Sequence, residues 1–199
     1  WSSPPGSGIW TSIILRPLIP PRDAPKLTLL AAVAVASVLQ EQYGIEARIK
    51  WPNDVMVAGR KICGVLTELV AEQDAVKYSI VSFGLNVNQT PSVFPPDVAA
   101  VATSLRIESG RRFGRPDILR KILCRLDLLY AEFQQDAGTG ILARWRRHSC
   151  TLGKKVTVRL REETVEGMAR DLAEDGSLII ESDDGAVRQI SYGDVTILR

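Results

Sequence analysis

Residues Lys50 to Glu68 constrain the fold more than any other stretch of this 199-residue chain. They run Lys50-Trp51-Pro52-Asn53-Asp54-Val55, continue through Gly59-Arg60-Lys61-Ile62-Cys63-Gly64, and end at Glu68. Apolar, β-branched residues flank the Pro52–Asp54 turn, and again flank Ala58-Gly59-Arg60. That spacing dictates a strand over 47–51, a short strand over 55–57, a tight hairpin, and a longer strand over 61–69. The same stretch gathers Lys50, Asn53, Asp54 and Lys61, so it can hold two anionic groups side by side.

The remaining elements follow from period and punctuation. Trp10–Arg16 reads as a β-branched strand closed by Pro17. Asp23 is expected to cap a helix that carries Pro25 in its first turn and stops at Gly44. Lys77–Asn88 is a mostly apolar strand of the interior kind. Residues 90–115, rich in Pro, Gly and Ser, read largely as loop. Pro116 opens a strong helix with Ile118, Ile122, Leu126, Leu129 and Phe133 as its buried stripe, and a short helix covers 140–148. At Leu152 the period changes to two. Val156, Val158 and Leu160 alternate, as do Leu178 and Ile180, then Val195 and Ile197, with Asp175-Gly176 and Asp184-Gly185 as turns. The expectation is a domain over 1–150 and a small SH3-like β-barrel over 151–199, packed on it because so small a unit is marginal alone.

Composition excludes several classes. A net charge of +2 is too small to argue for nucleic acid, and none is expected as a partner of this chain. The apolar run 27–39 is shorter than the roughly 20 residues of a membrane span and is expected as a buried helix. Cys63, Cys124 and Cys150 form no CxxC and are expected as buried free thiols in a reducing, cytoplasmic setting. The chain contains no GxxxxGK[ST] and no HExxH, and its one histidine, His148, leaves a Ser-His-Asp or Cys-His mechanism little to work with.

On spacing alone each candidate has two readings. Lys61, between Gly59 and Gly64, either meets a ligand brought close to the backbone or is a solvated strand-edge residue. Lys50 carries the same pair of readings. Asn53 and Asp54 are common turn formers; they are also a donor to phosphate and a partner for Mg²⁺ or for an amine proton. Asn86 ends its strand at the rim of the sheet, where sites in α/β folds collect, or simply terminates it. Trp1, beside Pro4, Pro5 and Gly6, can stack on a base or fill a core.

At these residues the sequence resembles the biotin–protein ligases. The matching pieces are Trp1-Ser2-Ser3-Pro4-Pro5-Gly6, Lys50–Val55, Arg60–Leu66 with Glu68, Gly84-Leu85-Asn86-Val87-Asn88, Thr103-Ser104-Leu105 and Tyr192-Gly193-Asp194-Val195. The resemblance implies an α/β (α+β) fold, a mixed sheet flanked by helices of the class II synthetase and biotin–lipoate ligase kind. It implies ATP-dependent attachment of biotin, through biotinyl-AMP, to a lysine of the biotin carboxyl carrier domain of acetyl-CoA carboxylase or a related carboxylase. By family position Lys61 bridges carboxylate and phosphate as a catalytic residue, and Asp54 is the candidate for the catalytic residue that takes or positions the proton of the acceptor amine. Gly64 and Gly84 lie against biotin, while Trp1, Lys50, Asn53 and Asn86 serve ATP or AMP, with Asn53 and Asn86 on the Mg²⁺ side. Family members often dimerise through the sheet.

In the family a Gly/Arg-rich loop of the form G-R-G-R-x-G-R runs into the tryptophan that matches Trp1. The expectation is therefore an incomplete fragment that keeps Lys61 and the sheet but lacks the lid over biotin. A lipoate or octanoyl ligase on the same fold, a carrier-binding remnant without catalysis, and a parent with a repressor domain are the rival expectations.

Overall fold

The computed structural model describes residues 4–72 and 75–198. Strands β1 (Gly8–Leu15), β2 (Ala47–Lys50), β3 (Asp54–Val57), β4 (Arg60–Glu72) and β5 (Ala75–Asn86) make a five-stranded sheet in the order β1-β5-β4-β3-β2. Its ladders are antiparallel. Among the described residues, parallel contact is confined to isolated bridges, Ile49 with Ser149 and Lys61 with Ala102. The β3–β4 hairpin closes as its residues demand: Ala58 (φ 49) and Gly59 (φ 76) both adopt the left-handed region, which matches the twist of the flanking strands.

One face of this sheet is covered by α1 (Pro25–Tyr43), which packs in turn against α4 (Arg115–Asp136) and α5 (Thr139–His148). A helix with protein on both sides needs no polar stripe, and Leu29 to Leu39 are all buried. By length and composition this helix passes for a membrane span, yet it is the central core helix of the fold. Gly44 ends it in the left-handed region (φ 67), donating its N–H to Gln40. Asp23 does not cap it. That residue falls in a 3₁₀ turn over Pro21–Asp23, Ala24 holds the cap position, and the Asp23 carboxylate pairs at 2.8 Å with the buried Lys26 ammonium. Burial of a lysine costs more than an empty cap, so the acid goes to the lysine.

The α4 stripe is the expected one, with Ile118, Ile122, Leu126, Leu129 and Phe133 buried. Residues 90–115 contain more structure than their composition suggests: α2 (Pro96–Ala99) and α3 (Leu105–Ser109), each too short to reveal a helical period. Ser104 caps α3 by accepting from the N–H of Ile107 at 3.2 Å, and Leu105 beneath it is fully buried.

Strands β6 (Lys155–Arg159), β7 (Thr164–Leu172), β8 (Leu178–Glu181), β9 (Val187–Ile190) and β10 (Asp194–Ile197) form the second antiparallel sheet, in the order β10-β6-β7-β8-β9, the SH3-like unit. It grips the turn between β2 and β3. Trp51 is 1% exposed and donates its indole N–H to the Gly176 carbonyl at 3.0 Å. Its backbone N–H donates to Thr151 Oγ1 at 2.9 Å. Next to it, the Lys50 ammonium donates to the Val195 carbonyl at 3.1 Å.

Candidate active site

The face of the sheet turned away from α1 carries the site, and strand register explains its layout. Lys50 pairs with Asp54, Asp54 with Gly64, Gly64 with Gly84, and Gly84 with Trp10. These five residues form one row across all five strands. Paired residues share a face, so the two glycines leave a bare backbone trough between the carboxylate of Asp54 and the indole of Trp10. The trough is a cavity of about 520 Å³, with Asn53, Lys61 and Leu66 on one side and Ser12 and Ser82 on the other. Ser12 and Ser82 hold each other at 2.8 Å across β1 and β5.

Lys61 reaches this face through a bulge. Simple alternation along β4 would place Lys61 with Cys63 and Val65, on the α1 side. The register between β3 and β4 shifts: Val55 pairs with Cys63, but Met56 pairs with Lys61, leaving Ile62 as the extra residue. A bulge of this kind re-aims the following side chain. Ile62 is fully buried, and Lys61 turns outward to form an ion pair with Asp54 Oδ1. The backbone of Lys61 is held from its other side, its N–H donating to the Val101 carbonyl at 2.7 Å and its carbonyl accepting from Thr103 at 2.9 Å.

Asp54 sits between two ammonium groups, with Lys61 on Oδ1 and Lys50 on Oδ2 at 3.4 Å. With its side chain only 13% exposed, this arrangement fixes where both cations point. Asn53 donates its side-chain amide to the Val65 carbonyl at 2.8 Å, which leaves its Oδ1 as an acceptor. Asn86 is buried and largely committed: it donates to the Thr103 carbonyl at 3.0 Å and accepts from Gln89 at 2.9 Å. It borders a second, mostly apolar cavity of about 490 Å³ lined by Lys61, Phe94, Pro95, Val98, Val101 and Ala102. A third cavity, of about 660 Å³, opens on the far side of Asp54 between β2, β3 and the barrel strand β10, and Lys61 borders it too. Lys61 therefore stands where three cavities meet. Among the described residues no three His, Cys, Asp or Glu side chains gather to hold a metal.

Thus the structure brings Lys50, Asn53, Asp54, Lys61, Gly64 and Gly84 together and sets Asn86 on the adjoining rim, while Trp1 lies outside the described residues. His148 is away from this face, half-buried at the end of α5 with Ser37 Oγ at 3.4 Å. Burial, then the charges of Arg147 and Arg48, hold its imidazole below the usual range. Burial pushes the Cys63 and Cys150 thiols up, so neither is a ready thiolate, and Cys124 is exposed rather than buried as expected. Trp10, Ser12, Ser82 and the Phe94–Ala102 wall are site residues the sequence did not disclose. For Trp10, Ser12 and Ser82 the only signal was alternation along β1 and β5, which becomes meaningful once the register is known.

Residues 1–88 match the Biotin/lipoate A/B protein ligase family, and residues 151–198 match the Biotin protein ligase C terminal domain. The Bifunctional ligase/repressor BirA of Bacillus subtilis is 37% identical over 197 residues, 99% of this chain and 60% of its own length. The Biotin--[acetyl-CoA-carboxylase] ligase of Mycobacterium tuberculosis is 32% identical over 87% of this chain and 62% of its own. The chain thus spans about 60% of the length of these curated relatives. The Aquifex aeolicus biotin protein ligase solved in complex with biotin and ATP superposes with a TM-score of 0.82 at 28% identity, covering 97% of this chain and 78% of that one. Sequence match in both sheets and superposition along nearly the whole chain lead to one conclusion: the chain belongs to the biotin protein ligase family.

Proposed function

We propose that this chain carries the catalytic floor of an ATP-dependent biotin ligase, which forms biotinyl-AMP and passes biotin to a lysine of a carboxylase carrier domain. The observation that carries this reading is the Lys61–Asp54 pair, set where three cavities meet above a glycine trough. A relative solved with biotin and ATP, and relatives named as acetyl-CoA-carboxylase ligases, support the choice of acid, nucleotide and partner.

The roles follow from charge. Biotin lies in the trough over Gly64 and Gly84, its carboxylate toward Lys61, and the base of ATP lies in the apolar cavity by Phe94 and Asn86. Two anions brought together in a partly dry site repel strongly, and the Lys61 ammonium offsets this at the point of bond formation. A carboxylate oxygen bonds to the α-phosphorus as the bond to the β-phosphate oxygen breaks, and the electron pair leaves with pyrophosphate. The carrier amine then adds to the acyl carbon, AMP departs with its electron pair, and the amine proton passes to solvent or to Asp54. Because both Asp54 oxygens already face lysines, we assign it first as the positioning residue that aims Lys61. Asn86 serves by tying the Thr103 loop to the sheet.

Mg²⁺ takes oxygen ligands and shares its shell between one or two carboxylates and substrate phosphates. The side-chain oxygen of Asn53 fits that need as one ligand, Asp54 would serve as a second only by giving up one of its two lysines, and when bound the ion would neutralise phosphate charge. We assign residues 1–150 to the catalytic domain, with Trp1 on the nucleotide side, and 151–199 to the SH3-like domain. The unpaired cysteines support the cytoplasm as its location. Among the described residues the outer edge of β1 has no strand partner, and Ile14 beside it is 58% exposed, which supports pairing of two copies through the sheet.

The test is ATP–pyrophosphate exchange by the full-length protein with biotin and Mg²⁺, and with lipoate in its place. Exchange driven by biotin is expected. Exchange with lipoate alone, or with neither acid, removes the reading.

A further inference from the structure

Thr103 is fully buried and commits each of its polar groups to a different element. Its N–H donates to the Lys61 carbonyl at 2.9 Å, its carbonyl accepts from the Asn86 side chain at 3.0 Å, and its hydroxyl donates to the Glu108 carboxylate. Strands β4 and β5 and helix α3 therefore meet at one side chain. The segment that arrives at this hub is the wall of the apolar cavity. Phe94, Val98, Val101 and Ala102 precede Thr103 in the chain, and the Val101 carbonyl takes the Lys61 N–H at 2.7 Å.

Glu108 closes the network. The oxygen that accepts from Thr103 also accepts from Arg60 at 2.8 Å, and Arg60 is the chain neighbour of Lys61 at the start of β4. This differs from an exposed ion pair, because the Glu108 side chain is 13% exposed and a second donor fixes its geometry. The β3–β4 hairpin is thus held from two directions, Lys61 by Asp54 and Arg60 by Glu108 of α3. Lys61 and Asn86 line the apolar cavity together with the wall, whereas the glycine trough meets this network at Lys61 alone. A wall already fixed in place spares a bound base the cost of ordering it.

We infer that Glu108 is a positioning residue for the nucleotide. With Thr103 and Arg60 it fastens the cavity wall to the β4 backbone at Lys61, so nucleotide affinity and the aim of Lys61 are set together while the trough for the acid is left alone. The inference rests on the ligase reading above, which puts the base of ATP in that cavity.

The test is ATP–pyrophosphate exchange by the full-length protein, varied in ATP and in biotin, beside calorimetric titration with α,β-methylene ATP in the presence of biotin. Glu108→Gln keeps the shape and removes the charge. Arg60→Gln removes the partner, and with that side chain 36% exposed the fold is not threatened. Each is expected to raise KM for ATP and weaken the analogue about tenfold, as loss of a charge-assisted contact implies, with KM for biotin held. The double variant should be no worse than either single one, because both delete the same interaction. Thr103→Val should act in the same direction, and Thr103→Ser should restore wild-type values. No analogue binding in wild type, an unchanged KM for ATP in the variants, or additive losses in the double variant overturns the inference. So does an equal rise in KM for both substrates, which is what general loosening of the fold would give. Glu108-dependent binding of the analogue without biotin-driven exchange would keep the positioning role and discard the ligase.

Discussion

At the scale of single residues, the site depends on where one lysine points. Lys61 is more than a strand-edge charge because Ile62 is tucked in as the extra residue of a bulge, which turns the ammonium onto the face of Asp54, Gly64 and Gly84. Its side chain is 36% exposed, so removing it should cost the fold little. Lys61→Ala is therefore expected to slow biotinyl-AMP formation by roughly 10²–10³-fold, the usual cost of losing one preorganised donor to developing charge. The melting temperature should stay close to that of wild type. An exchange rate within a few-fold of wild type would remove Lys61 from the chemistry. Legibility at this scale was uneven. Lys50, Asn53, Asp54, Lys61 and Gly64 were named from the single stretch 50–68, and Gly84 from a separate piece of the family resemblance. Trp10 and Ser12 were not, because residues distant in sequence become neighbours only through register.

Elements supply the frame that keeps Lys61 in place. Residues 101–105 lie along the start of β4 and enter α3, holding the Lys61 backbone on both its N–H and its carbonyl. Ser104 secures that crossing. It accepts from the N–H of Ile107 and donates to the Gln89 carbonyl at 2.7 Å, fully buried. Ser104→Ala should cost about 1–2 kcal/mol, a lost cap plus an orphaned buried carbonyl. It should also lower adenylate formation while Ser104→Thr retains most of it. Urea denaturation with exchange assays checks both, and an alanine variant equal to wild type in each would show that the crossing is merely tolerated. Strong periods such as that of α4 were readable in advance. Short helices under proline-rich sequence were not, since five residues carry no measurable period and take their stability from tertiary contacts.

For the molecule as a whole, the joint between sheet and barrel is the next determinant. The indole of Trp51, its backbone N–H and the Lys50 ammonium all terminate on barrel-side residues, at Gly176, Thr151 and Val195. Trp51→Phe keeps a ring but deletes the donor to Gly176 and leaves space behind. A loss of about 1–3 kcal/mol is expected, with a higher KM for ATP because Asn53 and Asp54 follow it in the chain. A variant unchanged in both stability and KM would mean the barrel is not coupled to the turn. Stability should also respond to acid. His148 titrates lower in the folded state than unfolded, so the unfolded chain takes up a proton first as pH falls. Its contribution is complete above the unfolded value near ~6.5 and is lost as pH falls from there through the lower folded value. Denaturant midpoints should therefore drop between about pH 7 and 5. His148→Gln should flatten that drop, and an identical slope in the variant would assign it to other groups.

What the sequence determined by itself was local or periodic: a contiguous motif, helix α4 with its buried stripe, the turns of the β-rich tail, and through these the family. Such features need only neighbours along the chain, and physical chemistry over a few residues is enough to specify them. Tertiary structure decided the rest. Register placed Lys50, Asp54, Gly64, Gly84 and Trp10 in one row, the bulge at Ile62 chose the face of Lys61, and the demand of a buried Lys26 took Asp23 from the helix cap. Each is a competition between distant groups for one partner or one face, and packing of the whole chain decides its outcome.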